Sequence, residues 1–150
     1  MEFNKVQIAV SRFKTGYNCS QSVFSTYSEN SGIPYEAACK LSSALGGGIG
    51  RQAKTCGALT GAALVIGLYF GNSRPEDKMA KERVYNLVRQ LFERFNSIHH
   101  STDCKDLLGI DISNPENFKK AHELGIIKTK CPDFVRSASE ILENIIKENL

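Results

Sequence analysis

The sequence lacks most of the features by which membrane, secreted and nucleic-acid-binding proteins are recognised. Its most apolar segment, residues 57–70, is shorter than the roughly 20 residues needed to span a bilayer. No run of basic residues occurs, and a net charge of +3 is too small to indicate binding to nucleic acid. The first residues contain no apolar core of a secretory signal. These absences predict a cytoplasmic protein with no membrane insertion and no nucleic-acid partner.

Motifs of several enzyme classes are missing as well. The sequence contains no H-E-x-x-H motif, no paired carboxylates and no Ser-His-Asp set, so hydrolytic catalysis has no support. The glycine-rich segment 46–50 has the spacing of neither a dinucleotide-binding loop nor a P-loop. No two cysteines form a Cys-x-x-Cys pair, which removes the main support for a thioredoxin-like protein or a zinc finger. Covalent haem is not expected, because Cys-x-x-Cys-His is absent.

Apolar residues that recur at spacings of three and four predict helices along most of the chain. We expect an all-α, single-domain bundle of about six to seven helices over residues 1–150, with no strand. The predicted helices cover residues 19–28, 34–45, 56–70, 75–98, 102–109, 115–123 and 131–148. The segment between the last two long helices is polar, so we expect it at the periphery.

Four of the five cysteines stand where a helix is predicted to begin: Cys19, Cys56, Cys104 and Cys131. A helix N-terminus presents unpaired N–H groups and the positive end of the helix dipole, and both stabilise a thiolate. Thiolates bind metals and attack disulfides. The pattern therefore indicates a thiol or metal-thiolate protein. Cys39 lies inside a predicted helix without a start signal, and we interpret it as a core or incidental residue.

Cys56 is the strongest candidate for a reactive, catalytic thiolate. Thr55 is its predicted cap, and the cations Arg51 and Lys54 lie just upstream. Gly57 leaves space beside the sulfur. We therefore expect a lowered pKa at Cys56.

Glycines and histidines supply the remaining candidates. Gly47 and Gly48 belong to a loop that either wraps a cofactor or connects two helices flexibly, and Gly57 is a further position for close approach to a cofactor. The small residues from 57 to 62 pack closely either within the chain or against a second copy, so a homodimer is one alternative.

His99 and His100 either supply a ligand or lie exposed. Five cations lie near the cysteines: Arg51, Lys54, Lys105, Lys128 and Lys130. Three roles are open for them: to offset thiolate charge, to dock an acidic redox partner, or to form a solvated surface.

The four cysteine blocks, taken with the glycine loop, resemble the putative redox-active protein family that is named for its C_GCAxxG_C_C cysteine signature. The similar blocks are residues 18–23, 46–51, 56–71, Cys104 with 107–109, and Cys131 with 134–142. Cys39 is outside the pattern. The resemblance implies redox activity at the four cysteines, and a related domain in certain multihaem cytochromes carries an iron–sulfur centre.

Three functional hypotheses remain open. In the first, the four cysteines bind an iron–sulfur cluster, and the protein exchanges electrons with a redox partner protein. In the second, no cluster is bound, and the Cys56 thiolate attacks a disulfide or an electrophile. In the third, the same four thiolates hold zinc.

Overall fold

Eight helices and no strand make up residues 4–150, the part of the chain that the computed structural model describes. They are α1 (Lys5–Thr15), α2 (Cys19–Tyr27), α3 (Tyr35–Ser43), α4 (Gly57–Phe70), α5 (Lys78–His99), α6 (Cys104–Leu108), α7 (Pro115–Glu123) and α8 (Ile126–Asn149). The predicted all-α fold is confirmed. Within the same residues, no helix is both long and apolar enough to cross a membrane.

Two predicted helix starts are wrong, and one helix was not predicted. Helix α5 begins at Lys78 rather than Pro75, because the Asp77 side chain accepts a hydrogen bond from the Ala80 N–H at 3.2 Å and caps the helix. Helix α8 begins at Ile126, after the left-handed Gly125, rather than at Cys131. Helix α1 was missed, although Asn4 caps it and accepts from the Val6 N–H at 2.8 Å.

Helix α4 lies at the centre and packs against α2, α5 and α8. Its side chains Leu59, Val65 and Ile66 are completely buried, whereas Leu64 and Leu68 are 37% exposed, so one side of α4 faces solvent. An apolar stripe of α5 also faces this core. Its fully or almost fully buried members are Leu87, Leu91 and Phe95. Helix α1 packs on α2 and α8, so all the long helices share one continuous core.

The contact between α2 and α4 depends on glycine. A Cβ atom on Gly61 would lie 2.7 Å from the carbonyl oxygen of Ser20, and one on Gly57 would lie 3.1 Å from the Cys19 Cβ. The small-residue face of α4 is therefore used for close packing within the chain. This packing brings the beginnings of α2 and α4 together.

We predict that Gly61→Ala destabilises the protein by about 1–3 kcal/mol, because the added methyl group forces α2 and α4 apart. The matched control is Gly67→Ala in the same helix, where a Cβ atom meets nothing within 4 Å. That substitution should be neutral or stabilise by up to about 1 kcal/mol. Urea unfolding of the reduced, metal-free variants measures both effects, and equal stability of the two variants would contradict the packing argument.

Candidate functional site

A cavity of about 1190 Å³ lies where the helices that carry the four signature cysteines meet. Its lining includes the four cysteines that were predicted to act together: Cys19, Cys56, Cys104 and Cys131. Their side chains are buried, with at most 8% exposed. Cys39 is partly exposed and does not line the cavity. The fold thus brings together residues that are separated by up to 112 positions, from 19 to 131.

Two loop segments hold Cys56 beside Cys104. The backbone N–H of Cys56 donates to the carbonyl of Thr102 at 2.9 Å, and the N–H of Cys104 donates to the carbonyl of Lys54 at 2.6 Å. Between these two hydrogen bonds, Thr55 and Asp103 form an antiparallel β-bridge. These backbone hydrogen bonds fix the starts of α4 and α6 relative to each other.

Cys19 is positioned by the cap of α2. The Asn18 side chain accepts from the Gln21 N–H at 2.9 Å, and the Gln21 side chain accepts from the Asn18 N–H at 3.1 Å, which forms a capping box. Asn18 also donates to the carbonyl of Ser43 at 3.0 Å. The side chain of Asn18 occupies the space that a Cβ atom on Gly46 would need. The glycine loop is therefore packed against the residue that precedes Cys19.

The sequence predicted a helix start at Cys131, and this prediction is wrong. Cys131 lies in the second turn of α8, and Pro132 follows it inside the helix. Proline has no N–H, so the helix lacks the hydrogen bond that this residue would normally donate to the carbonyl four positions earlier. Packing of α8 against α2 and α4, rather than a helix N-terminus, brings Cys131 to the cavity.

The glycine loop is an ordered turn with a left-handed backbone. Residues 47–51 all have φ between 60° and 74°, and two of them, Ile49 and Arg51, are not glycine. Hydrogen bonds from Ala53 N to Gly47 O (3.1 Å) and from Lys54 N to Gly48 O (3.0 Å) hold the loop closed. Gly46, Gly47 and Gly48 line the cavity, as does Gly57 at the start of α4.

The N–H groups of residues 46–48 donate no hydrogen bond to any residue between 4 and 150. They are therefore donors that a group bound in the cavity can use.

The predicted lowering of the Cys56 pKa is wrong. Burial raises the pKa of Cys56 to about 12, and the N–H groups of Ala58 and Leu59 oppose this rise without cancelling it. Cys56 is the N-cap of α4 rather than its first residue. Arg51 does not compensate, because its guanidinium lies over the Phe118 ring, 3.8 Å from the centroid. The role of Cys56 as the catalytic thiol stays a prediction.

The pKa values of the other three cavity thiols depend on neighbouring cysteines. Burial and the proximity of Cys131, Asp111 and Asp103 raise the pKa of Cys104 to about 12. The pKa values of Cys19 and Cys131 depend on each other. A hydrogen bond from the Cys19 thiol stabilises the Cys131 thiolate, which lowers the pKa of Cys131 against the effect of burial and raises the pKa of Cys19. Cys131, rather than Cys56, is therefore the member of the group that ionises most easily.

Neither adjacent histidine belongs to the cavity. The His99 Nε2 atom lies 2.8 Å from the Ser137 Oγ, and its ring packs against Phe95 and Phe134. Burial lowers the pKa of His99. His100 is exposed and ends α5 in a left-handed conformation.

Helix α7, which was expected at the periphery, contributes to the cavity through Phe118 and His122. The two rings form an edge-to-face pair with centroids 4.7 Å apart. Sequence analysis missed both residues. The available signal was a single aromatic residue in an otherwise polar helix, four positions before a histidine.

Of the predicted cations, only Arg51 and Lys128 line the cavity. Lys14 was not predicted and joins them. Lys130 instead approaches the carbonyl oxygen of Leu108 at 3.5 Å.

The side chains do not form a preassembled site for a single metal ion. In the described part of the chain, no group of three or more His, Cys, Asp or Glu side chains is arranged to hold one. The four thiols therefore share a cavity without meeting at one point.

A comparison with protein-family models returns one described as "Putative redox-active protein (C_GCAxxG_C_C)", which matches residues 17–145. No curated protein matches the sequence, and no solved structure does. The matched range contains the four cysteines of the cavity, the glycine loop and α4.

We predict that, in reduced and metal-free protein, Cys131 is alkylated at lower pH than Cys56 or Cys104. The pKa of Cys131 is lowered from the ordinary thiol value of 9.0, whereas the pKa values of Cys56 and Cys104 are about 12. The Cys131 thiolate therefore forms at lower pH. The pH midpoint of iodoacetamide labelling at each cysteine, measured by mass spectrometry, reports the pKa independently of access.

Cys19→Ala should raise the Cys131 midpoint, because it removes the hydrogen bond to the thiolate. Cys104→Ala is the control and should leave that midpoint unchanged. A midpoint for Cys56 below that of Cys131 would contradict the assignment.

Proposed function

Because the chain belongs to the putative redox-active protein family with the C_GCAxxG_C_C cysteine signature, we propose that it transfers electrons through an iron–sulfur cluster. Cys19, Cys56, Cys104 and Cys131 would hold the cluster. The observation that carries the proposal is that these four buried cysteines line one cavity. Four cysteine thiolates are the usual ligands of such clusters.

Four cysteine thiols in one cavity are the donor set of an iron–sulfur cluster. Zinc–sulfur bonds of about 2.3 Å place four tetrahedral sulfurs about 3.8 Å apart. Between residues 4 and 150, no three potential ligands are arranged for one ion. A cluster of several irons is larger, so its ligands lie further apart around a cavity. A cluster bound there would supply one-electron transfer.

Electrostatics favours a positively charged occupant. Ionising the buried Cys56 and Cys104 is costly in the free protein, as their pKa values near 12 indicate. Metal binding offsets this cost, because the cation stabilises the thiolates and releases their protons.

Backbone donors around the cavity would adjust the reduction potential. The N–H groups of Ala58 and Leu59 favour a thiolate at Cys56. Residues 46–48 of the glycine loop line the cavity, and their N–H groups have no acceptor between residues 4 and 150. Hydrogen bonds to ligand sulfur stabilise negative charge there, and they raise the potential of a cluster. Burial of the thiols limits access of water, and a redox partner protein would supply or remove the electron.

We predict that protein prepared without oxygen, or reconstituted with iron and sulfide, binds both in fixed proportion and is brown. Replacing any of the four cavity cysteines by serine should reduce bound iron severalfold, since each supplies one ligand. Cys39→Ser is the matched control and should retain the iron, because Cys39 does not line the cavity. Metal and sulfide analysis and the visible spectrum provide the measurement.

The same assay separates the alternatives. Absence of iron after reconstitution, or unchanged iron content in Cys56→Ser, would exclude the cluster. A colourless protein that binds one zinc ion through the same cysteines would instead support a zinc-binding protein.

A second candidate function is dithiol–disulfide exchange, which the lowered pKa of Cys131 and its place in the same cavity as Cys19 favour. The Cys131 thiolate would attack one sulfur of a substrate disulfide, and one substrate thiol would leave. Cys19 would then lose its proton and attack the Cys131 sulfur of the mixed disulfide, which releases the second substrate thiol. The substrate gains two electrons and two protons, and the protein is left with a Cys19–Cys131 disulfide.

We predict that oxidised glutathione converts the metal-free protein to a form with a Cys19–Cys131 disulfide, which peptide mapping detects. Cys19→Ser should stop the reaction at a mixed disulfide on Cys131. Cys39→Ser should behave like the unchanged protein. Formation of a disulfide that joins Cys56 to another cysteine, with Cys131 left free, would favour the original assignment of Cys56 as the attacking thiol.

A further inference from the structure

The cavity extends beyond the thiols, and its parts differ in chemical character. The thiols are buried, whereas the basic residues of the lining, Lys14, Arg51 and Lys128, are exposed at the opening. The lining also includes apolar side chains: Phe13, Leu107, Leu108, Ile112, Phe118 and Phe134. A volume of about 1190 Å³ exceeds the range of about 300–1,000 Å³ that is typical of small-molecule sites. There is thus room for an organic molecule between the opening and the thiols.

The opening carries three basic side chains and, among residues 4–150, no carboxylate in its lining. Lys14, Arg51 and Lys128 form no ion pair within 4.0 Å with any described carboxylate. His122 lies at the same opening. A cavity whose walls carry charge of one sign attracts ligands of the opposite sign.

Arg51 is held in a specific place. Its backbone has φ of 60°, a conformation that costs a residue with a side chain about 1–2 kcal/mol. Its guanidinium stacks on Phe118, which fixes the side chain across the gap between the glycine loop and α7. The guanidinium edge can bind two oxygens of a carboxylate or a phosphate.

We infer that the opening binds a small organic anion, a carboxylate or phosphate ester that is attached to an apolar or aromatic body. The anionic group pairs with Arg51, and Lys14 and Lys128 add attraction at longer range. The body lies along Phe118 and the neighbouring apolar wall and points toward the thiols. This deepens the proposed function by naming the class of molecule that reaches the redox site, but it depends on the shape and charge of the cavity rather than on the metal.

The test is a titration of reduced, metal-free protein, followed by backbone amide NMR. The probes are phenyl phosphate and benzoate, with benzyl alcohol as the neutral analogue and inorganic phosphate as the anion without a body. We expect saturable shifts at Gly46, Gly47 and Gly48 with at least one aromatic anion, and binding at least tenfold weaker for the alcohol and for inorganic phosphate. Comparison of phenyl phosphate with benzoate distinguishes the two anionic groups.

Arg51→Gln should weaken binding by about tenfold, since a charge-assisted hydrogen bond is lost. Lys128→Gln should weaken it by about threefold through its charge alone. Arg89→Gln is the matched control, because Arg89 is exposed on α5 away from the cavity. Absence of saturable shifts, equal binding of the neutral alcohol, or equal affinity of the Arg51 and Arg89 variants would overturn the inference. Because no metal is present, none of these results depends on whether a cluster binds.

Discussion

The cavity depends first on the close contact of α2 with α4 at Gly57 and Gly61. A methyl group at Gly61 would collide with the backbone of α2, so only glycine permits this separation. The contact places Cys19 beside the start of α4, where Cys56 lies. Backbone pairing between residues 54–56 and 102–104 then adds Cys104, and packing of α8 adds Cys131. Three separate contacts therefore assemble one group of thiols.

Burial, and not the helix dipole, dominates the pKa shifts of Cys56 and Cys104. Helix N–H groups do stabilise a Cys56 thiolate, but removal of the sulfur from water has the larger effect. Several buried thiolates would also repel one another. The group consequently stays protonated unless something compensates the charge. A cation does so for all four residues, whereas a thiol–thiolate hydrogen bond does so for Cys131 alone.

The glycine loop links the buried thiols to the surface. Its left-handed residues turn the chain tightly between α3 and α4, and the turn leaves the N–H groups of residues 46–48 without an acceptor inside the described chain. The same turn places Arg51 against Phe118 at the opening. One segment therefore provides neutral donors inside the cavity and a cation outside it. This arrangement accounts for side-chain-bearing residues in a conformation that glycine adopts more easily.

The sequence by itself determined the helical class, most helix positions and the membership of the cysteine group. Helical periodicity, cap residues and the family signature are local signals, and they were sufficient to separate Cys39 from the other four cysteines. The tertiary structure decided the features that depend on contacts between distant parts of the chain. It placed Cys131 inside α8, brought α7 to the cavity through Phe118, and reversed the expected pKa shift of Cys56. The physical reason is that the pKa of a thiol depends on how much water and which charges surround it, and these are supplied by residues that are distant in the chain.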